Sequence, residues 1–169
     1  MKTTRTIIIA ILIIFGAMYL NHVTAQSRIS LSVFQDAKLL TKGDDKGNKA
    51  GTLNIISRLN LKGKQTNTGY LFVYPEYEYA DLIVNYQRFS LGVGYSFNTL
   101  LKNFDFPMSA NYGFIDREGQ SFSSFSFNGG INYKITKHLN LATNLQLTDR
   151  RELDKFVWSG GIGIEVLFY

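Results

Sequence analysis

The chain contains no cysteine and only two prolines in 169 residues. Without a thiol there is no lipid-modified N-terminal cysteine, no disulfide framework and no thiolate metal site. Histidine is nearly as scarce. Of the two, only His138 lies beyond residue 25, too few nitrogen ligands for a zinc site. Beyond residue 25 no apolar run is long enough for a membrane-crossing helix, so a membrane protein built from this part must cross as a barrel. Clustered basic charge is missing as well. Lys and Arg occur singly or among acids, as in Lys42-Gly43-Asp44-Asp45-Lys46, and such mixing leaves no nucleic-acid footprint.

What is present begins with a leader. Lys2 and Arg5 precede an apolar run over residues 7–20, broken once by Gly16, and Val23 and Ala25 form a small-residue exit before Gln26. This pattern predicts a signal peptide over residues 1–25, cleaved after Ala25. As an uncleaved anchor the run falls short of the roughly 20 residues a full span needs. Cleavage removes Lys2 and Arg5 and leaves 144 residues of net charge +3, enough for one domain over residues 26–169. That domain is rich in Tyr, Phe, Gly, Ser and Asn, the usage of a sheet protein with tight turns.

A period of two dominates the second half. Phe156, Trp158, Gly160, Ile162, Ile164, Val166 and Phe168 alternate with Val157, Ser159, Gly161, Gly163, Glu165 and Leu167, which puts the two sets on opposite faces of one strand. That strand is much longer than the five or six residues usual in a soluble sheet. Similar alternation runs over residues 139–148, 124–135, 104–114 and 89–97. The first half is less regular. Residues 28–33 and 52–61 alternate, the latter with Ile56 and Ser57 out of phase, and residues 70–77 are strand-like with either facing open. Pro75 has no N–H to donate, which suggests a bulge or a strand end there. The total is eight strands, an even number as bacterial barrels require. With both chain ends periplasmic, the outer loops fall near residues 38–50, 78–83, 116–121 and 149–154, and the turns near 62–67, 98–103 and 135–138. The longest and most charged connection then lies outside.

The whole domain thus resembles the small eight-stranded outer-membrane β-barrels of OmpA and OmpX type, and Tyr95-Ser96-Phe97-Asn98 and Phe104-Asp105-Phe106 are similar to barrels of the Bacteroidota. The resemblance implies an all-β, antiparallel, up-and-down transmembrane barrel in contact with outer-membrane lipid. It also implies recognition by the barrel-assembly machinery through the last strand, on Trp158, Ile162, Ile164, Val166 and Phe168. The chain departs from that pattern in carrying Tyr169 after the in-phase Phe168.

The inward set contains Arg28, Arg58, Arg88, Asp105, Lys134 and Glu165, expected to form an ion-pair network in a lumen that side chains fill. Tyr70, Tyr74, Tyr77, Tyr79, Tyr86, Tyr95, Tyr112, Tyr133, Trp158 and Phe168 are expected in interfacial girdles. No catalytic, cofactor or metal site is expected. His138 falls in a turn, Gly92-Val93-Gly94 and Gly160-Gly161-Ile162-Gly163 lie within strands with no helix to follow, and Asp44, Asp45 and Asn48 lack the spacing of a calcium loop. The first outer loop, with Lys42, Asp44, Asp45 and Lys46, reads as a solvated tip and as the main interaction surface. The expected function is therefore a non-enzymatic barrel acting through its loops or in envelope integrity. Two alternatives stay open: a narrow small-solute channel, porin-like in kind, and a secreted lipocalin-like barrel that turns its apolar face inward around a ligand.

Overall fold

The computed structural model describes residues 28–44, 47–83, 85–98, 101–153 and 155–168. The leader and the cleavage site after Ala25, together with Asp45, Lys46 and Tyr169, lie outside the described residues. The strands are β1 (Arg28–Asp36), β2 (Asn54–Lys62), β3 (Gly69–Ala80), β4 (Tyr86–Phe97), β5 (Phe104–Arg117), β6 (Gln120–Gly129), β7 (Asn132–Lys134), β8 (Leu139–Arg150) and β9 (Lys155–Phe168), with a short helix α1 (Ala37–Thr41) after β1. Each strand pairs antiparallel with its neighbours, and β1 closes on β9, Ile29 opposite Phe168 and Asp36 opposite Gly161. The sheet is a closed barrel.

Nine segments make eight staves, because proline interrupts one of them. Against β5, Met108 faces Gly129 of β6 and Phe104 faces Tyr133 of β7, which is one unbroken register. Between those pairs Pro107 stands opposite Gly130. It accepts from the Gly130 N–H at 3.0 Å but has no donor to return, so the ladder lapses without shifting. Pro75 does the same between β2 and β3. Arg58 faces Glu76 and Leu61 faces Val73 in one register, and pairing lapses only between them. The bulge or strand end expected at Pro75 is therefore a lapse in mid-strand.

Alternation decides which residues meet solvent and which meet each other. Leu71, Phe89, Val93, Met108, Phe127, Leu141, Leu145, Phe156, Trp158, Ile162 and Ile164 point outward and are exposed. The buried inner face is mostly polar, with Ser30, Ser32, Asn60, Ser90, Asn111, Ser124, Ser126, Asn128, Asn140, Asn144 and Gln146 beside a few apolar side chains such as Phe34, Ile56 and Ile115. The open facing of β3 resolves with Tyr70, Phe72, Tyr74, Glu76 and Glu78 inside and Leu71, Val73 and Tyr77 outside. This corrects the girdle expectation for Tyr70, Tyr74 and Tyr86, which are buried in the lumen. The neighbouring strand leaves them room. Gly94 lies opposite Phe72 and Gly92 opposite Tyr74, and a Cβ on Gly92 would stand 2.3 Å from Tyr74 Cζ.

The connections sort by length. One end of the barrel carries the three turns around 63–68, 98–103 and 135–138 with Arg28 and Phe168, and the other carries the 37–53 loop and three shorter ones. The long loop is built rather than loose. Asp36 Oδ1 accepts the Leu39 N–H at 2.8 Å and caps α1, and Gly43, at φ 77°, returns its N–H to Lys38 O. Asn48 donates through Nδ2 to Asp44 Oδ2 at 2.7 Å and accepts the Ile83 N–H at 2.9 Å, tying this loop to the β3–β4 loop. The solvated tip expected here is corrected in that Leu39 and Asn48 are buried and Asp44 is half-buried, while Lys42 stays exposed.

Candidate functional site: the lumen and its loop-end vestibule

Mid-lumen, Glu76 of β3 sits between two guanidinium groups. Arg58 Nε donates to its Oε2 and Arg88 Nη1 to its Oε1, the latter at 2.7 Å. Arg58 then crosses the barrel, donating from Nη1 to Asn144 on β8 and from Nη2 to Asn128 on β6, each at 3.0 Å. Arg88 crosses the other way to Ser124 at 3.1 Å and Ser126 at 2.8 Å and also donates to Asn111. Ser90 and Asn111 give Glu76 Oε1 two further donors. The Arg58 guanidinium also lies 5.2 Å from the Phe34 ring centroid and 5.1 Å from that of Tyr74, close enough for cation–π attraction. A buried charge needs this density of partners to offset its lost hydration.

Nearer the turn end a second cluster forms on Glu165. Lys62 Nζ stands 2.6 Å from its Oε1, Ser30 donates to the same oxygen, and Asn132 and Asn140 donate to Oε2. Lys134 pairs with Asp105 at 2.8 Å with its own side chain half out of the barrel. Of the six lumen residues expected, Arg58 and Arg88 thus meet on Glu76, Glu165 anchors a cluster of its own, and Asp105 and Lys134 meet each other. Arg28 is exposed at the start of β1.

Glu76, Glu78 and Lys62 are charged residues of the lumen that escaped the sequence reading. The signal existed. Glu76 and Glu78 share parity with Tyr70 and Tyr74, and two carboxylates on one strand face cannot face hydrocarbon. Lys62 continues the parity of Arg58 and Asn60 one step past the expected strand end.

The clusters leave little space. Beside Arg58, Asn60 and Phe72 the cavity holds about 30 Å³, roughly one water's share of liquid volume. Above them, toward the loops, the barrel widens into a vestibule of about 650 Å³ bordered by α1 and the loop-end stretches of β1, β3, β8 and β9. No group of His, Cys, Asp and Glu among the described residues is arranged to hold a metal ion. His138 is exposed in the turn at the far end. Trp158, Ile162, Ile164 and Phe168 of β9 all point outward and are exposed, and Val166 shares their face.

Fold and lumen together define a closed, eight-stranded antiparallel barrel, apolar outside and filled with paired polar groups inside. No protein-family model matches the sequence, and no curated protein matches it. Among solved structures it is similar to the N-terminal β-barrel domain of Pseudomonas aeruginosa OprF, at 15% identity and TM-score 0.59 over 84% of this chain and 97% of that one. It is also similar to the Yersinia pestis outer membrane protein Ail in a phospholipid bilayer nanodisc, at 12% identity and TM-score 0.53 over 84% and 98%. A de novo designed transmembrane β-barrel matches at 11% identity and TM-score 0.55 over 86% and 98%. At these identities the likeness is one of fold.

Proposed function

We propose that the protein is a non-enzymatic integral barrel of the outer membrane, exported by the leader over residues 1–25, whose closed lumen carries a loop end facing the surroundings. The observation behind this reading is the inversion of a soluble protein's faces. Large apolar side chains ring the outside while Arg, Glu, Asn and Ser fill the inside. A soluble monomer rarely exposes apolar area on that scale, and a lipocalin-like barrel would turn its apolar face inward. Strands of 9 to 14 residues, one of them in two pieces, match the 9–11 or so that a tilted strand needs to cross hydrocarbon. The outward face of β9, from Trp158 to Phe168, is the surface on which assembly machinery would act. The loop end, including Lys42, Asp44, Asp45 and Lys46, is the surface for outside partners.

The test is gel migration of unboiled against boiled protein, with fractionation of expressing cells. This reading predicts a heat-dependent shift, a detergent requirement and recovery with the outer membrane. A protein that stays in solution without detergent and shows no shift would be a soluble barrel instead. A channel reading would need a path past Glu76, where both guanidinium groups lie across the lumen.

A further inference from the structure

The vestibule is a large space at the loop end of the barrel that side chains do not fill, and its volume lies within the roughly 300–1,000 Å³ of ligand pockets. The polar residues contributed by its strands are sorted by side. Asp36, Asn54 and Glu78 come from β1, β2 and β3, and Arg117, Arg150 and Lys155 from β5, β8 and β9, while Lys38 of α1 and Asp44 of the loop after it border the same space. In barrel order the two strand sets are separate arcs.

The acidic arc has two unmet needs. Glu78 is 5% exposed and accepts only from neutral donors, Asn54 Nδ2 and Tyr86 OH, each at 3.2 Å. Among the described residues no cation forms an ion pair with it, and Arg88 and Arg150 supply positive field only from further off. Arg150 is stacked 3.9 Å from the centroid of the Tyr86 ring. Glu76, Glu165 and Asp105, by contrast, each hold a direct cation. Beside Glu78, Asn54 is 7% exposed and its Oδ1 has no hydrogen-bond partner among the described residues. An unpaired buried carboxylate and an unpaired buried acceptor are both costly. Both call for an N–H donor, preferably a charged one. Across the vestibule, Arg117 and Lys155 make no ion pair with any described residue, and Leu82 and Val157 add apolar surface to the lining.

We propose that this vestibule binds a small zwitterion of the short-peptide class. Its ammonium group sits on Glu78 and Asn54 Oδ1, its carboxylate on Arg117 and Lys155, and its apolar body against Leu82 and Val157. A simple anion would leave the acidic arc unmet, and a simple amine would leave the basic arc unmet. The inference deepens the loop-end reading above by naming a ligand class. It does not depend on the membrane, since a soluble barrel would offer the same vestibule.

The test is calorimetric titration of the refolded mature chain with the peptide Ala-Leu-Ala, its N-acetyl form and its C-terminal amide. Unmodified peptide should bind saturably, and each cap should weaken binding by at least about tenfold, the scale of one charge-assisted contact. Glu78→Gln should no longer distinguish free from acetylated peptide, and Arg117→Gln with Lys155→Gln should no longer distinguish acid from amide. Absence of binding to the wild type, or equal binding of free and capped peptides, overturns the proposal. Unchanged discrimination in a folded Glu78→Gln variant overturns it too, and the wild-type cap series decides the matter if that variant does not fold. The heat-dependent gel shift is read on the same samples. Loss of binding with the shift intact removes the vestibule ligand alone, and loss of the shift removes the membrane reading alone.

Discussion

Glu76 and Glu78 stand two residues apart on the same face of β3, in opposite electrostatic situations. Glu76 is held by Arg58 and Arg88 and by two neutral donors. Glu78, nearer the loops, has neutral donors only. The difference separates two regions of one lumen. Mid-barrel, charge is matched and space is filled, which is what holding ions away from water requires. At the vestibule, Glu78 lacks a direct cation among the described residues and space is left open, which packing alone does not explain. The first region reads as the plug that makes the barrel rigid, and the second as the place where something else completes the structure.

The comparison can be broken most sharply by Glu76→Gln. It strands two guanidinium groups in mid-lumen, so stability should fall by about 3–5 kcal/mol, as when one partner of a buried pair is removed. Urea unfolding of the refolded barrel measures it, and a loss below about 1 kcal/mol would mean that the cluster is hydrated rather than structural. Next comes the contrast between faces. Ile164→Arg puts charge on the outward surface, at a cost of about 2–4 kcal/mol in mid-membrane, and should impair insertion. Glu165→Gln next to it faces Lys62 and should lower stability while insertion survives. Equal insertion defects in vesicle-binding assays would mean that the faces are reversed.

Gly92→Ala is a smaller change with a steric cause. The added methyl would meet the Tyr74 ring, and overpacking of that kind costs about 1–3 kcal/mol. A double variant that also trims Tyr74 to Leu should recover part of the loss, read from the same unfolding curves. The smallest effect belongs to Glu78→Gln. With no ion pair to break, stability should change by no more than about 0.5 kcal/mol or rise slightly, since an uncompensated buried charge is removed. A loss as large as that of Glu76→Gln would erase the distinction between the two regions.

The legible parts of the molecule were those where one strand carries its own signal. In β4, β8 and β9 most outward positions are apolar and most inward ones small or polar, so parity alone assigns the faces. β3 defeats that rule because its inward set is also aromatic. Tyr74 and Phe72 are admitted by Gly92 and Gly94 on the next strand, and that information is not in β3. The same holds for Pro107, whose effect appears on β6 and β7, and for Asn48, whose partner Ile83 is on another loop. Of the lumen site, Arg58, Arg88 and Glu165 could be read from parity. The carboxylate that joins the two arginines could not be placed until the facing of β3 was known.

The central claim is that the paired cluster on Glu76 closes the barrel beneath a blind vestibule. Single-channel recording of the refolded protein in a planar bilayer tests this most directly. A silent baseline is expected for the wild type at neutral pH. Stable, reproducible conductance steps from the intact protein would contradict it.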